Sequence, residues 1–157
     1  MDSTGGKKTI VLGLGNPLMG DEGIGQAVIK KLQTRQTEFP NAEFVDAGTG
    51  GMNILHLIAG KDKAVIIDCA LMQTAPGTIK RFTPEQVQSV KKLTHRSLHE
   101  ADILKVIDLA GQLGQCPDEI VFFGIEPQAL ELREKLSPAL NDRLDEYAEQ
   151  VAKELCR

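Results

Sequence analysis

Residues 8–36 read KTIVLGLGNPLMGDEGIGQAVIKKLQTRQ, and the fold is decided there. Lys8 to Gly15 is a short, β-rich apolar run ending in glycine, the pattern of a buried strand that feeds a tight turn. From about Asp21 to Gln36, Ile24, Val28, Ile29 and Leu32 recur at helical spacing. Lys30, Lys31 and Arg35 fall near the end of that segment, where the helix dipole favours cations. A strand followed at once by a helix is how an α/β layered fold begins.

The rest of the chain continues the alternation. Ala42 to Ala47 reads as a second strand, Met52 to Ala59 as a short helix, and Ala64 to Cys69 as a third strand whose unbroken apolar run implies burial on both faces. After the Ala75-Pro76-Gly77 turn, Thr78 to Phe82 alternates as an edge strand would, and an antiparallel one is expected. Thr83-Pro84-Glu85-Gln86 and the Ser97-Leu98-His99-Glu100 capping box each start a helix. Glu119 to Gly124 is the last buried strand, and Ser137-Pro138 opens a terminal helix through about Leu155. The expected architecture is a three-layer α/β sandwich: a mostly parallel, twisted five-stranded sheet, one edge strand antiparallel, with helices on both faces.

Composition bounds the function. The 157 residues carry 18 Lys+Arg against 22 Asp+Glu, a net charge of −4, and with 41% hydrophobic residues one domain over 1–157 is expected, residues 1–7 forming a flexible N-terminus. No apolar run reaches membrane-spanning length and no signal-peptide core precedes the first strand, so a cytoplasmic protein without a membrane partner is expected. An acidic balance without a basic cluster argues against nucleic acid. Cys69, Cys116 and Cys156 form no Cys-x-x-Cys pair, which fits a reducing compartment and excludes a cysteine zinc site.

In such sheets ligands bind beyond the carboxyl ends of the strands. Glu22, Asp46, Asp68 and Glu126 fall at those ends, and carboxylates gathered on one rim repel one another unless a cation, a proton or a basic side chain offsets them. His99, at the second position of the helix capped by Ser97, would be kept neutral by the dipole, as a metal ligand must be. Glu, Asp and His together suit a borderline divalent ion such as zinc, nickel or iron. Plainer readings exist: Glu22 as a first-turn acid, Asp68 as a turn-starting residue, His99 as a solvated helix start, His56 and His95 as surface or packing residues, Cys69 as a buried small hydrophobe. A zincin is excluded because Ile103 stands where His-Glu-x-x-His needs its second histidine. No Gly-x-Ser-x-Gly elbow is present. A dinucleotide fingerprint starts at Gly13 and Gly15, with Asp46 as the ribose acid, but Leu18 replaces its third glycine and Asp21-Glu22 puts negative charge where a pyrophosphate would lie.

The run from Gly13 to Gly25 resembles the signature of the hydrogenase maturation endopeptidases. So do Asp46 to Met52, Ile66-Ile67-Asp68 and Ser97-Leu98-His99 in order and spacing, with weaker agreement at Ala75 to Thr78 and Gly124 to Pro127. The resemblance spans roughly residues 8 to 155. It implies removal of the C-terminal extension from the precursor of a nickel-iron hydrogenase large subunit, an aspartyl-type endopeptidase activity; a monomer is expected. It also implies that Glu22, Asp68 and His99 are the catalytic, metal-contacting trio. Nickel is expected to arrive with the substrate, and zinc or cadmium to substitute in a crystal. Glu22 or Asp68 is a candidate general base, and Asp46, Gly48, Thr49 and Gly50 are the expected substrate-binding loop. Ala47, where the family often has glycine, is expected to avoid positive φ, and Glu126 stands where Gln is frequent. The rival reading is a metal-binding or nucleotide-binding accessory protein that cleaves nothing.

Overall fold

A computed structural model describes residues 7–91 and 98–157, and the side chains of these except at 88–91 and 98–102. Five strands, β1 (Thr9–Gly13), β2 (Ala42–Asp46), β3 (Lys63–Cys69), β4 (Ile79–Phe82) and β5 (Glu119–Ile125), form one sheet in the order β2-β1-β3-β5-β4. All pairs are parallel except β4 on β5, so the antiparallel edge strand stands where it was expected after the Ala75-Pro76-Gly77 turn, although its burial does not alternate. The helices are α1 (Ile24–Gln33), α2 (Asn53–Ile58), α3 (Pro84–Lys91), α4 (Leu98–Gln112), α5 (Pro138–Asn141) and α6 (Leu144–Leu155). Because side chains alternate along a strand, the sheet has two buried faces. Val11, Val65, Ile67, Val121 and Phe123 pack on α1, α5 and α6. Ile10, Leu12, Ala64, Ile66 and Phe122 pack on α2, α3 and α4. Among the described residues, no helix is long and apolar enough to cross a membrane.

Helix α1 starts at Ile24, three residues later than its periodicity predicts, because Gly20–Gly23 forms a 3-10 turn. Below that turn, helix and strand meet through glycine. A β-carbon on Gly25 would lie 2.5 Å from the Leu14 carbonyl oxygen and 2.6 Å from that of Ile67, and one on Gly13 would lie 2.5 Å from the Gly25 oxygen. These neighbours are backbone and cannot swing aside. Gly25→Ala is therefore expected to destabilise the fold by about 3 kcal/mol, the upper end for overpacking. Gly111→Ala, on the same scaffold but facing open space, should be neutral or mildly stabilising. Urea midpoints of the two variants check both signs.

The terminal helix is not continuous. α5 ends at Asn141 and α6 begins at Leu144, with Arg143 at φ −111°, ψ 12° between them. Asn and Asp are weak helix formers, and the Gly77 turn is packed against the break. Ala139 O and Arg143 Nη1 stand 3.2 and 2.8 Å from where a Gly77 β-carbon would be. The Tyr147 hydroxyl donates to Gly77 O at 2.7 Å. The redirected chain buries both Leu140 and Tyr147 completely.

At the amino end of the strands, Lys63, 3% exposed, donates to Glu154 Oε2 at 2.7 Å, and Arg81 grips both Glu154 oxygens at 2.7 and 3.1 Å. Burial pushes the Glu154 carboxyl up, but hydrogen bonds from Arg81 and Lys63 outweigh it and hold the group below the usual carboxylate range. These buried charges serve structure.

Candidate active site

The opposite end of the sheet gathers the acids. β1 leaves the sheet at Gly13, paired to Asp46 on one side and Ile67 on the other. The Leu14 N–H donates to Ile67 O at 2.9 Å and the Gly15 N–H to Gly48 O at 2.8 Å. Gly15, at φ +140°, runs so close to the 3-10 turn that a β-carbon there would collide with the Glu22 carbonyl oxygen. This close approach lays the turn over the ends of β1 and β3 and leaves the Glu22 side chain half-buried at the rim.

Asp68 is the next-to-last residue of β3, 6% exposed, on the face covered by α2, α3 and α4. Its Oδ1 accepts the Cys69 N–H at 2.8 Å. It borders a narrow apolar cavity formed by Leu14, Phe82, Val87 and Phe122. Cys69 alternates to the other face. Burial pushes its thiol up, and the negative charges of Asp68, Glu22, Asp21 and Glu126 push it further. All four acids lie at the carboxyl end of the sheet, where Cys69 closes β3. The raised value keeps Cys69 protonated, which supports its reading as a small buried hydrophobe rather than a nucleophile.

The backbone of α4 carries His99 at its second position; its side chain, and all of Ser97 and His95, lie outside the described residues. Among the described residues no three His, Cys, Asp or Glu side chains form a metal-holding group. The described part of the trio is thus a pair of carboxylates, Glu22 and Asp68, from two different elements. His56 is exposed on α2.

The loop after β2 is held from within. Asp46 is exposed, and its Oδ1 accepts the Gly48 N–H at 2.9 Å. Gly48 and Gly51 adopt φ +59° and +85° with open space above them. Thr49 is exposed and Gly50 half-buried, while Ala47 avoids positive φ as expected. Buried Gln26, which sequence reasoning passed over, ties this loop to the β1 turn by donating through Nε2 to Gly15 O at 2.8 Å and to Gly48 O at 3.5 Å.

Two acids have roles that local sequence did not reveal. Asp21 is fully buried. Its Oδ2 accepts the N–H groups of Gln128 (2.8 Å) and Ala129 (2.9 Å) and the Ser137 hydroxyl (2.7 Å), and its Oδ1 accepts the Ser137 N–H (2.6 Å). Ser137 therefore secures the turn before α1 instead of capping α5 with its side chain. Glu126 Oε1 accepts the Met72 N–H at 2.7 Å and the Thr74 hydroxyl at 3.0 Å, which fastens the loop after β3.

Residues 26–154 match the family model of the hydrogenase maturation proteases. The chain belongs to that family. It is 31% identical over 147 residues to the hydrogenase 2 maturation protease of Escherichia coli, covering 92% of this chain and 88% of that one. It is also 31% identical over 145 residues to the hydrogenase expression/formation protein HoxM of Cupriavidus necator, covering 89% and 72%. The hydrogenase maturating endopeptidase HybD from E. coli superposes with a TM-score of 0.84 at 28% identity, over 94% of this chain and 91% of that one. For a hydrogenase maturation protease, the rim that presents Glu22 and Asp68 is the candidate place of peptide hydrolysis.

Proposed function

We propose that this protease removes the C-terminal extension of a nickel-iron hydrogenase large-subunit precursor after nickel has been seated in it, with Glu22, Asp68 and His99 meeting the nickel that the substrate carries. The observation that supports this reading most is that Glu22 and Asp68 share one rim, the turn that carries Glu22 lying against the strand that carries Asp68, at the same end of the sheet as a loop whose glycines leave open space. Two carboxylates and an imidazole would complete a coordination sphere begun by the precursor's own ligands. Substrate nickel supplies Lewis acidity near the scissile carbonyl. Asp68, buried and held by the Cys69 N–H, presents a fixed oxygen. Glu22, half-buried, or Asp68 would take the proton from an attacking water. Asp46 through Gly50 receive the backbone of the extension. The three free thiols accord with action in the cytoplasm, and we take the chain to act as a monomer.

Incubation with nickel-loaded and nickel-free precursor, read by mass spectrometry of the large subunit, tests this directly. A C-terminal peptide should be lost from the loaded form alone. Loss from both forms would remove nickel recognition from the reading, and binding without any loss would favour the accessory protein.

A further inference from the structure

Among the described residues the exposed large hydrophobics are Leu18 (52%), Met52 (56%), Leu113 (55%), Leu130 (36%) and Leu132 (81%). Single exposed leucines are ordinary, but these are not scattered. Leu113 lies in the connection leading to the amino end of β5, whereas the other four follow the carboxyl ends of β1, β2 and β5, on the rim that carries Glu22.

Three of the four sit on two loops that behave as one body. Met19 pairs with Arg133 as an isolated parallel bridge. The Arg133 N–H donates to Leu18 O at 2.9 Å, the Gly20 N–H to Arg133 O at 2.8 Å and the Asp21 N–H to Ala129 O at 3.1 Å. The Asp21 carboxylate fastens the second loop again at Gln128, Ala129 and Ser137. The leucines are thus displayed on a pre-organised backbone. Charged Glu131 and Arg133, paired at 3.2 Å, alternate with them. An apolar centre within a polar surround on a rigid support is the make-up of a protein interface.

We propose that Leu18, Leu130 and Leu132 form the docking surface for the folded body of the precursor, taking an apolar patch beside the root of its C-terminal extension. This rests on the substrate reading above. What commits the surface to that occupant is continuity with the candidate site. Glu22 lies two residues beyond Gly20, on the turn that loops 16–20 and 127–136 hold between them, so a protein whose tail is cut beside Glu22 meets these loops next to the cut. These loops would then select the client, while Asp46 to Gly50 handle the tail.

The test is a Leu130→Asp/Leu132→Asp variant assayed against nickel-loaded precursor over a range of concentrations, with binding of the same precursor measured in parallel. KM and the dissociation constant should rise about tenfold or more while kcat stays within about twofold, the pattern of lost uniform binding. Leu130→Met/Leu132→Met should behave as the parent. Unchanged KM and binding in the aspartate variant would overturn the proposal. If the parent binds precursor without cleaving it, the protease reading fails by itself, and the docking surface is still judged by whether the aspartates abolish that binding. Absence of any binding by the parent overturns both. Should the double variant not fold, Leu18→Asp on the partner loop carries the same expectations.

Discussion

Asp21→Ala is expected to cost about 3–5 kcal/mol of folding stability, because four donors lose their acceptor together and three of them are backbone amides. Asp21→Asn should cost roughly half as much, since one amide oxygen can still accept while the Nδ2 hydrogens face another donor. Burial alone would push the Asp21 carboxyl up. Hydrogen bonds from the Ser137 and Ala129 N–H groups, the Ser137 hydroxyl and the Gln128 N–H outweigh it and hold the carboxyl below its usual range. A lowered folded-state value fixes the sign of the pH dependence. The stabilisation is complete above the unfolded value of about 3.9 and is lost as pH falls through the lower folded value. The gap in urea midpoint between parent and Asp21→Asn should accordingly be constant from about pH 5 upward and close below about pH 4. Hydrogen exchange should show the loss first at the amides of Gln128, Ala129 and Ser137. A gap that widens on acidification, or unchanged protection at those amides, would sink this account.

Adjacent acids thus have divided duties. Asp21 turns inward and holds the turn to the loop after β5, and Glu22 then stands half-buried at the rim with its backbone already fixed. Local sequence shows two acids before a helix and nothing to tell them apart. The donors to Asp21 lie 107 to 116 positions away, and no periodicity connects them to it. Glu126 has the same difficulty, its partners Met72 and Thr74 being brought together only by the pairing of β3 and β5. The layered fold, by contrast, was legible, because β1, β3 and β5 are dense apolar runs buried on both faces, with Gly13, Asp68 and Gly124 at or next to their ends. The antiparallel edge was legible from the short run after the Ala75-Pro76-Gly77 turn, although β4 does not alternate: Ile79 and Phe82 pack on opposite faces of the sheet with exposed Lys80 and Arg81 between them. The break between α5 and α6 was not. Leu140, Leu144, Tyr147 and Val151 keep an unbroken inward stripe across it, so the periodicity is blind to a break against which Gly77, from another part of the chain, is packed.

Glu22→Gln and Asp68→Asn should each lower the rate of precursor processing by about 100-fold or more, the scale of losing a positioned acid-base or charged group. Neither should unfold the protein. Glutamine leaves the 3-10 turn intact, because the Glu22 N–H that donates to Met19 O at 3.2 Å is backbone. Asparagine keeps an oxygen to accept the Cys69 N–H. Stability within about 1 kcal/mol of the parent, as for most substitutions that break no packing or buried network, separates a chemical loss from a structural one. His99→Ala, chosen from the resemblance, belongs in the same series. If the three side chains act as one unit on the substrate's nickel, the losses will not add. The Glu22→Gln/Asp68→Asn double variant should be little slower than the worse single one, as happens when removal of any member disables the whole. Multiplicative losses would instead assign Glu22 and Asp68 to separate tasks, such as one anchoring the metal and the other moving the proton. Undiminished conversion by both single variants would remove this rim from the chemistry altogether and leave the family's reaction to be sought elsewhere on the molecule.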